Sequence, residues 1–487
     1  MKTTHKLAAG FGALGLGAIL VLPWWTSRQV NERLHAWADA PAHQSDFRLR
    51  NLHHDAGFLS SSGTAELVMR SRCSEDADAQ AGTVVQVIYQ VSHLPSFGGI
   101  NSFGWKLKPQ GEAAEAFKAL FGAEDALSGR GHVTWSRQIQ SDLSLPAMSF
   151  AQGGGSIEAS PSRGALTVGD KRVAFAWHIS DAQLRSADFV TRVQGMAFNF
   201  DLDNWQRGTG DAAFKVQSVS TRDVTLEGLS IESSTREKDG RLDSVLRNHL
   251  DRLQAGKQEV KHLAFDVGMR GLHADSVEKL TQLFSQSCGV QRMTQAERQL
   301  MREALKTLLS QGMSLQIDKL KGESANGAVD GGFTLALKPA QQSGSIQMAE
   351  LLTSSGRLQL KGDLASPELR QMAGVLGWAR VNQDGIESSF HYEKGHLKVL
   401  DRLTDASAVQ GMLALADTVI LALLEDRVPP VMAAKHESTE PEEVQEAEVE
   451  EEAEVEEVMT MEPSQGDTES EAQPAPQDAK ELPGRSV

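Results

Sequence analysis

A chain of 487 residues with 40% hydrophobic content has room for about two to four domains, each with a core of its own. Its formal charge of −17 is unevenly placed, because 18 acidic residues from His436 to Val487 face only Lys480 and Arg485, which leaves −1 for the rest. A nearly neutral body excludes the basic field that would attract nucleic acid, and Cys73 and Cys288, with no CxxC or Cys/His spacing around them, exclude the usual zinc modules. Spacing alone does not decide whether these two cysteines pair.

The first element is Leu7 to Trp25, LAAGFGALGLGAILVLPWW, which carries no charge. As a helix it would span about 28 Å, close to the hydrocarbon thickness of a bilayer. Lys2 and Lys6 precede it, and Trp24 and Trp25 close it where an aromatic belt sits, so the expected reading is a membrane anchor with a short cytoplasmic N-terminus, although Arg28 and Arg33 on the far side match Lys2 and Lys6 in number. A cleaved signal peptide shares the basic start and apolar run. The place where a peptidase needs small residues is instead held by Pro23, Trp24, Trp25 and Thr26. A buried core helix is the third reading. Gly10-x-Gly12-x-x-Gly15 mimics a dinucleotide fingerprint, but no βαβ unit surrounds it. Ala9, Ala13 and Gly17 recur every four residues and form a small-residue stripe through which a homodimer can pack, although small residues are also simply common in such helices.

From Ser27 to Ala40, Val30, Leu34 and Trp37 share a helical face, and Pro41 ends this juxtamembrane helix. The period then becomes two. Phe47, Leu49 and Asn51 begin a short strand, Gly57 to Gly63 reads as a turn-rich passage, and Ala65 to Met69 as a returning strand. Thr83 to Ser92 is a strong strand with Val85, Val87, Tyr89 and Val91 on one side, and Glu112 to Phe121 has helical spacing. Strands are then expected at Val133 to Leu143, Ala165 to Val168, Val173 to Ile179, Val190 to Leu202, Phe214 to Val219 and Val224 to Ile231.

Arg241 to Gln254 is ambiguous: Leu242, Val245, Leu246, His249 and Leu253 fit a helix, yet the neighbouring sequence alternates. Leu263 to Val267 reads as a strand. Asp275 to Gln286 reads as a helix, and a second helix opens on the capping box Thr294 to Glu297 and stops at Gly312. Strands are expected at Ser314 to Leu320, across Phe333, Leu335 and Leu337, and at Arg357 to Leu364. Ser366 caps a helix from Pro367 to Leu376, and Ser388 to Tyr392 and His396 to Leu400 form a hairpin around Glu393-Lys394-Gly395. Ala408 to Leu424 is apolar but holds Gln410, Asp417 and Thr418, so an amphipathic helix packed on the body is expected rather than a second span. From Ala433 onward Glu, Pro, Gln and Ala replace the aromatics, the composition of a disordered acidic tail.

Catalytic signatures are missing: GxxxxGK[ST], HExxH, the EF-hand loop and GxSxG do not occur. Gly153-Gly154-Gly155-Ser156 lacks the lysine of a phosphate loop and reads as an inter-strand turn. His53-His54-Asp55 with Cys73 is the most metal-like cluster, but adjacent histidines on a strand point to opposite faces. No catalytic, cofactor-binding or metal-ligating residue is assigned on this reading. Asp55 to Ser62, His54 and His93 stand as the elements from which a dispersed hydrolytic site would be built.

Several stretches together resemble the YdgA-like family of bacterial envelope proteins, whose function is unknown. The resemblance rests on the N-terminal anchor, on Leu52-His53-His54-Asp55-Ala56-Gly57-Phe58-Leu59-Ser60-Ser61, and on Val91-Ser92-His93-Leu94-Pro95, where Leu94 stands in place of a glycine common in the family. It continues to the hairpin Phe390-His391-Tyr392-Glu393-Lys394-Gly395 with Leu397, so it covers roughly residues 1 to 400. It implies an inner-membrane anchor with a periplasmic body.

The expected fold is α+β and β-rich, with extended antiparallel sheets, several packed helices, one N-terminal transmembrane helix and an acidic disordered tail. The expected organisation is a cytoplasmic tail (1–6), anchor (7–25), juxtamembrane helix (26–42), β-rich domain (43–232), α+β domain (233–402), amphipathic helix (403–432) and tail (433–487). The expected function is a non-catalytic envelope protein that binds an apolar ligand, such as a lipid, or a protein partner on a sheet face. The alternatives are that helices cover that face as ordinary core, that the body is an envelope hydrolase, and that the tail recruits partners.

Overall fold

A computed structural model describes residues 27–32, 34–36, 47–69, 83–123, 127–152, 154–287, 290–339 and 348–425. All of these fall in one unit, Met1–Ala433; the second, Ala434–Val487, holds the acidic tail and lies outside the described residues. Residues 7–25, expected from the sequence to be an anchor, with Ala9, Ala13 and Gly17, and both cysteines lie outside them too.

Antiparallel pairing of neighbours in sequence builds nearly the whole body. The strands are β1 (Phe47–Ala56), β2 (Ser60–Met69), β3 (Thr83–Ser92), β4 (Asn101–Pro109), β5 (Leu127–Val133), β6 (Ile139–Leu145), β7 (Met148–Gln152), β8 (Gly155–Ala159), β9 (Ser162–Val168), β10 (Val173–Arg185) and β11 (Val190–Asn204). They continue with β12 (Thr209–Ser220), β13 (Val224–Lys238), β14 (Arg241–Ala255), β15 (Gln258–His273), β16 (Met313–Ser324), β17 (Gly327–Leu337), β18 (Leu352–Gly362), β19 (Arg380–Val381), β20 (Gly385–Glu393), β21 (His396–Val399) and β22 (Arg402–Thr404). Most pair with the next along the chain, with three departures: β6 pairs with β9 rather than β7, β8 pairs with β10 rather than β9, and β18 pairs with β20, to which the short β19 also adds. The long strand β10 joins the two parts, since Val173–His178 pairs with β9 while Ala182–Arg185 pairs with β8. Hydrogen-bonding partners that follow immediately in the chain are what hairpin-rich, alternating sequence specifies. The fold is therefore β-rich, with one large antiparallel sheet and few helices.

Helices sit at the ends of this sheet. They are α1 (Glu112–Phe121), α2 (Ala274–Gln286), α3 (Gln295–Gln311), the single turn α4 (Met348–Leu351), α5 (Pro367–Leu376) and α6 (Ser407–Glu425), with residues 27–32 and 34–36 also helical. Thr294 and Glu297 close the capping box on α3 as its sequence demands, and the Ser366 side chain accepts from the Leu369 N–H at 3.2 Å to start α5. Leu283, Met293 and Met301 form a small core where α2 meets α3. Arg207, in the turn after β11, holds α2 to the sheet through Glu237, Asp275 and Glu278. On α6, Val409, Leu413, Ala416 and Ile420 are half-buried while Met412 and Leu415 stay exposed, and the Asp417 carboxylate accepts from the Met348 N–H at 2.8 Å. Among the described residues no helix is long and apolar enough to cross a membrane.

Two expectations are corrected and one ambiguity is resolved. Val133 to Leu143 is not one strand but parts of β5 and β6 joined by a turn. The Thr134 hydroxyl accepts from the Gln138 N–H at 3.0 Å, and Arg137 takes φ +63°, so a side chain rather than Gly or Pro makes this turn. Arg241 to Gln254 is β14, paired along its length with β13 and β15. Its register with β15 shifts between Leu242 and Ser244, and pairing on both sides holds Leu242, Val245, Leu246, His249 and Leu253 in a strand despite their helical spacing. The turn-rich passage of Gly57 to Gly63 shrinks to residues 57–59, because Ser60 already pairs with Ser92 in the ladder.

Candidate functional site

The alternation of long strands sorts side chains onto two faces, and the register decides what each face carries. Along one row Trp177 lies opposite Phe198, Phe198 opposite Phe214, and Phe214 opposite Ile231. The adjoining row carries Phe175, Phe200 and, further along, Leu246, Val267, Ile317, Phe333 and Phe390. Phe175 is the hub of an aromatic cluster, with ring centroids 5.7 Å from Phe200, 5.9 Å from Phe198 and 6.1 Å from Trp177.

Toward β2 the same rows alternate aromatics with glycines. Trp105 leans over Gly129, where a Cβ would lie 2.6 Å from the indole, and Tyr89 lies likewise over Gly63 and Phe390 over Gly356. Glycine at these cross-strand positions lets a large ring lie flat on the sheet. The opposite face is polar, laced by Arg172–Asp201, Lys215–Glu232, Arg236–Asp211, Arg270–Asp318 and Arg357–Asp330. A depression of about 1140 Å³ is lined by Lys106, Arg130, Arg163 and Asp142 together with Ile88, Tyr89 and Trp105.

The apolar face is open. Phe198, Leu246, Phe265 and Leu358 are each about two-fifths exposed, and a cavity of about 260 Å³ lies among Ile317, Leu320, Phe333, Leu358 and Phe390. Helices pack instead at the margins: α1 on β4 and β7, α2 and α3 on β15, and α5 on β19 and β20. The reading in which helices bury this face as ordinary core does not hold for the described residues. A run of half-exposed Phe, Leu, Ile and Met across many strands is unusual for a surface facing only water.

At the β1–β4 end the face turns polar. His53 and His54 do point to opposite sides: His53 is exposed with Asp55 at 3.6 Å, while His54 Nδ1 lies 2.9 Å from Tyr89 Oη, the rings nearly parallel at 20°. His93 is fully buried, and its N–H donates to the Leu59 carbonyl at 2.8 Å. Neither ring nitrogen of His93 has a hydrogen-bond partner, nor do His54 Nε2, Ser61 Oγ and Asn101 Oδ1. Burial lowers the His93 and His54 pKa values, each reinforced by a neighbouring histidine, and burial raises that of Tyr89. The fold thus brings His54, Ser61 and His93 into one corner, where Ser61 Oγ and the His93 ring nitrogens make no hydrogen bond to each other. Among the described residues no group of three or more His, Cys, Asp and Glu is placed to hold a metal ion. Gly154 and Gly155 lie at the turn between β7 and β8, with Gly154 at φ +83°.

A protein-family model for bacterial proteins of unknown function, DUF945, matches residues 1–374. The chain belongs to the DUF945 family. That match takes in the apolar stretch Leu7 to Trp25, the histidine corner, the apolar rows through β18 and nearly all of α5; β19 to β22 and α6 lie beyond it. The hairpin Phe390 to Leu397, which carried part of the resemblance seen in the sequence, is outside the matched range. No curated protein and no solved structure matches the chain.

Sequence alternation marked Phe175, Trp177, Phe198 and Phe200 as one-sided, but no periodicity could align them with Phe333 and Phe390, because that depends on the bulges between. The His54–Tyr89 contact was equally hidden, its partners being 35 residues apart.

Proposed function

We propose that this DUF945 chain is a single-pass inner-membrane protein with a periplasmic body that binds an apolar ligand or partner on its sheet face and performs no chemistry of its own. The observation that carries this reading is the open row of Phe175, Trp177, Phe198, Phe200, Leu246 and Phe265, backed by a salt-bridged face turned to water. The anchor is supported by Leu7 to Trp25, uncharged and flanked by Lys2, Lys6, Trp24 and Trp25. Fully covering one exposed phenylalanine gains about 1.5–3 kcal/mol scaled by the area still open, so several half-open rings supply a few kcal/mol for an apolar guest. Reporter fusions after Ala42 and Ala434 test the topology: a periplasmic signal at Ala42 supports it, and a cytoplasmic one refutes it. Titration of the full chain in mild detergent with a hydrophobic probe dye tests the face. The Phe198→Ser, Phe265→Ser double variant is expected to lose binding, and unchanged binding refutes the face as the site.

A further inference from the structure

The hairpin turns at one end of the sheet form a series of exposed apolar side chains. Phe58 and Leu59 occupy the β1–β2 turn, Leu94 and Phe97 the β3–β4 loop, Trp135 the β5–β6 turn, and Trp205 the β11–β12 turn. These loops touch in sequence along the sheet end. The His93 N–H donates to the Leu59 carbonyl and the Ile100 N–H to the Val133 carbonyl, both at 2.8 Å, and the Trp205 N–H donates to the Lys171 carbonyl at 3.0 Å. Phe97 is fully exposed and Trp135 is 55% exposed, so neither is half-hidden core. Apolar groups at the other end, such as Phe189 and Val190, are exposed as well, so exposure alone does not select an end.

The path of the chain selects it. Ser27, at the start of the leading helix, donates its hydroxyl to the Gly57 carbonyl at 3.1 Å, beside Phe58. The uncharged segment Leu7 to Trp25 ends two residues earlier, a gap of at most about 7 Å even if fully extended. Along β10, 13 residues at about 3.3 Å each place Phe189 roughly 40 Å away. If Leu7 to Trp25 is in a bilayer, the β1–β2 turn stands at its surface with the β3–β4 and β5–β6 loops beside it, and with strands rising from the membrane Phe189 lies at their far ends. Tryptophan, phenylalanine and leucine on loops at that depth are what headgroup-level anchoring uses.

We infer that this sheet end is a bilayer-docking surface, with Phe58, Leu59, Leu94, Phe97 and Trp135 inserted among lipid headgroups so that the apolar face rises from the membrane. The inference rests on the anchor proposed above. Photo-crosslinking the full chain in phosphatidylethanolamine/phosphatidylglycerol vesicles tests it, with benzoylphenylalanine placed at Phe97 in one variant and at Phe189 in another, each checked for an unchanged melting curve. Lipid adducts at 97 and their loss at 189 are the expected result. A chain that stays with vesicles through an alkaline wash yet gives no adduct at 97, or equal adducts at both positions, overturns docking while leaving the anchor in place. A chain released by that wash overturns the anchor and docking together.

Discussion

Replacing His93 with leucine, a side chain of similar volume, should stabilise the protein. His93 is fully buried and both ring nitrogens lack a partner, and a buried polar group left unsatisfied costs about 1–3 kcal/mol. Leucine removes that cost while keeping most of the packing, so a net gain of about 1–2 kcal/mol is expected for His93→Leu. At about 2–4 °C per kcal/mol in a large domain, the melting temperature should rise by several degrees. The variant also changes the pH dependence. Burial holds the folded-state pKa of His93 below its ordinary 6.5, so the unfolded chain takes up the proton first as pH falls. Stability is complete above pH 6.5 and declines below it, with a limiting slope of about 1.4 kcal/mol per pH unit for that proton. His93→Leu should lose this share of the slope and keep the share of His54, whose pKa is lowered in the same sense. Denaturant unfolding followed by tryptophan fluorescence from pH 5 to 8 measures both effects. A loss of more than about 2 kcal/mol, with the acid slope unchanged, would refute the reasoning and show that the imidazole is well bonded in the native protein.

Other substitutions probe the sheet and its caps. Gly164→Val puts a side chain under Trp177 and 2.7 Å from the Ala176 carbonyl oxygen; overpacking of about 1–3 kcal/mol and a displaced indole should appear as a lower melting temperature with a shifted tryptophan emission. Thr294→Ala removes the capping box of α3 and should cost about 1 kcal/mol, seen as faster amide exchange in its first turn. Phe198→Ser should lower stability by no more than about 2 kcal/mol because the ring is already 41% exposed, whereas a covered core phenylalanine would cost about 3–5 kcal/mol; equilibrium unfolding separates the two.

Local signals were the legible ones. Thr83–Ser92, Glu112–Phe121 and the helices begun by Thr294 and Ser366 form where alternation, spacing and capping chemistry place them, because each is specified by residues within one or two turns of itself. The errors share a different origin. At Thr134 to Gln138 the turn uses a hydroxyl and one left-handed arginine, which composition does not advertise. At Arg241 to Gln254, which the sequence leaves open, hydrogen bonds to β13 and β15 fix a strand despite the helical spacing of Leu242, Val245, Leu246, His249 and Leu253. For the site, the one-sidedness of Phe175 and Phe198 could be read from period two. Their alignment with Phe333 and Phe390, and the meeting of His54 with Tyr89, follow from cross-strand register that only the folded chain supplies.

Native mass spectrometry of the full chain, released from mild detergent and repeated after incubation with added phospholipid, bears most directly on the open apolar face. Copurified lipid should appear on the wild-type chain, be displaced by the added lipid, and be lost from the Phe198→Ser, Phe265→Ser variant. Spectra that stay free of lipid through both steps would contradict the account.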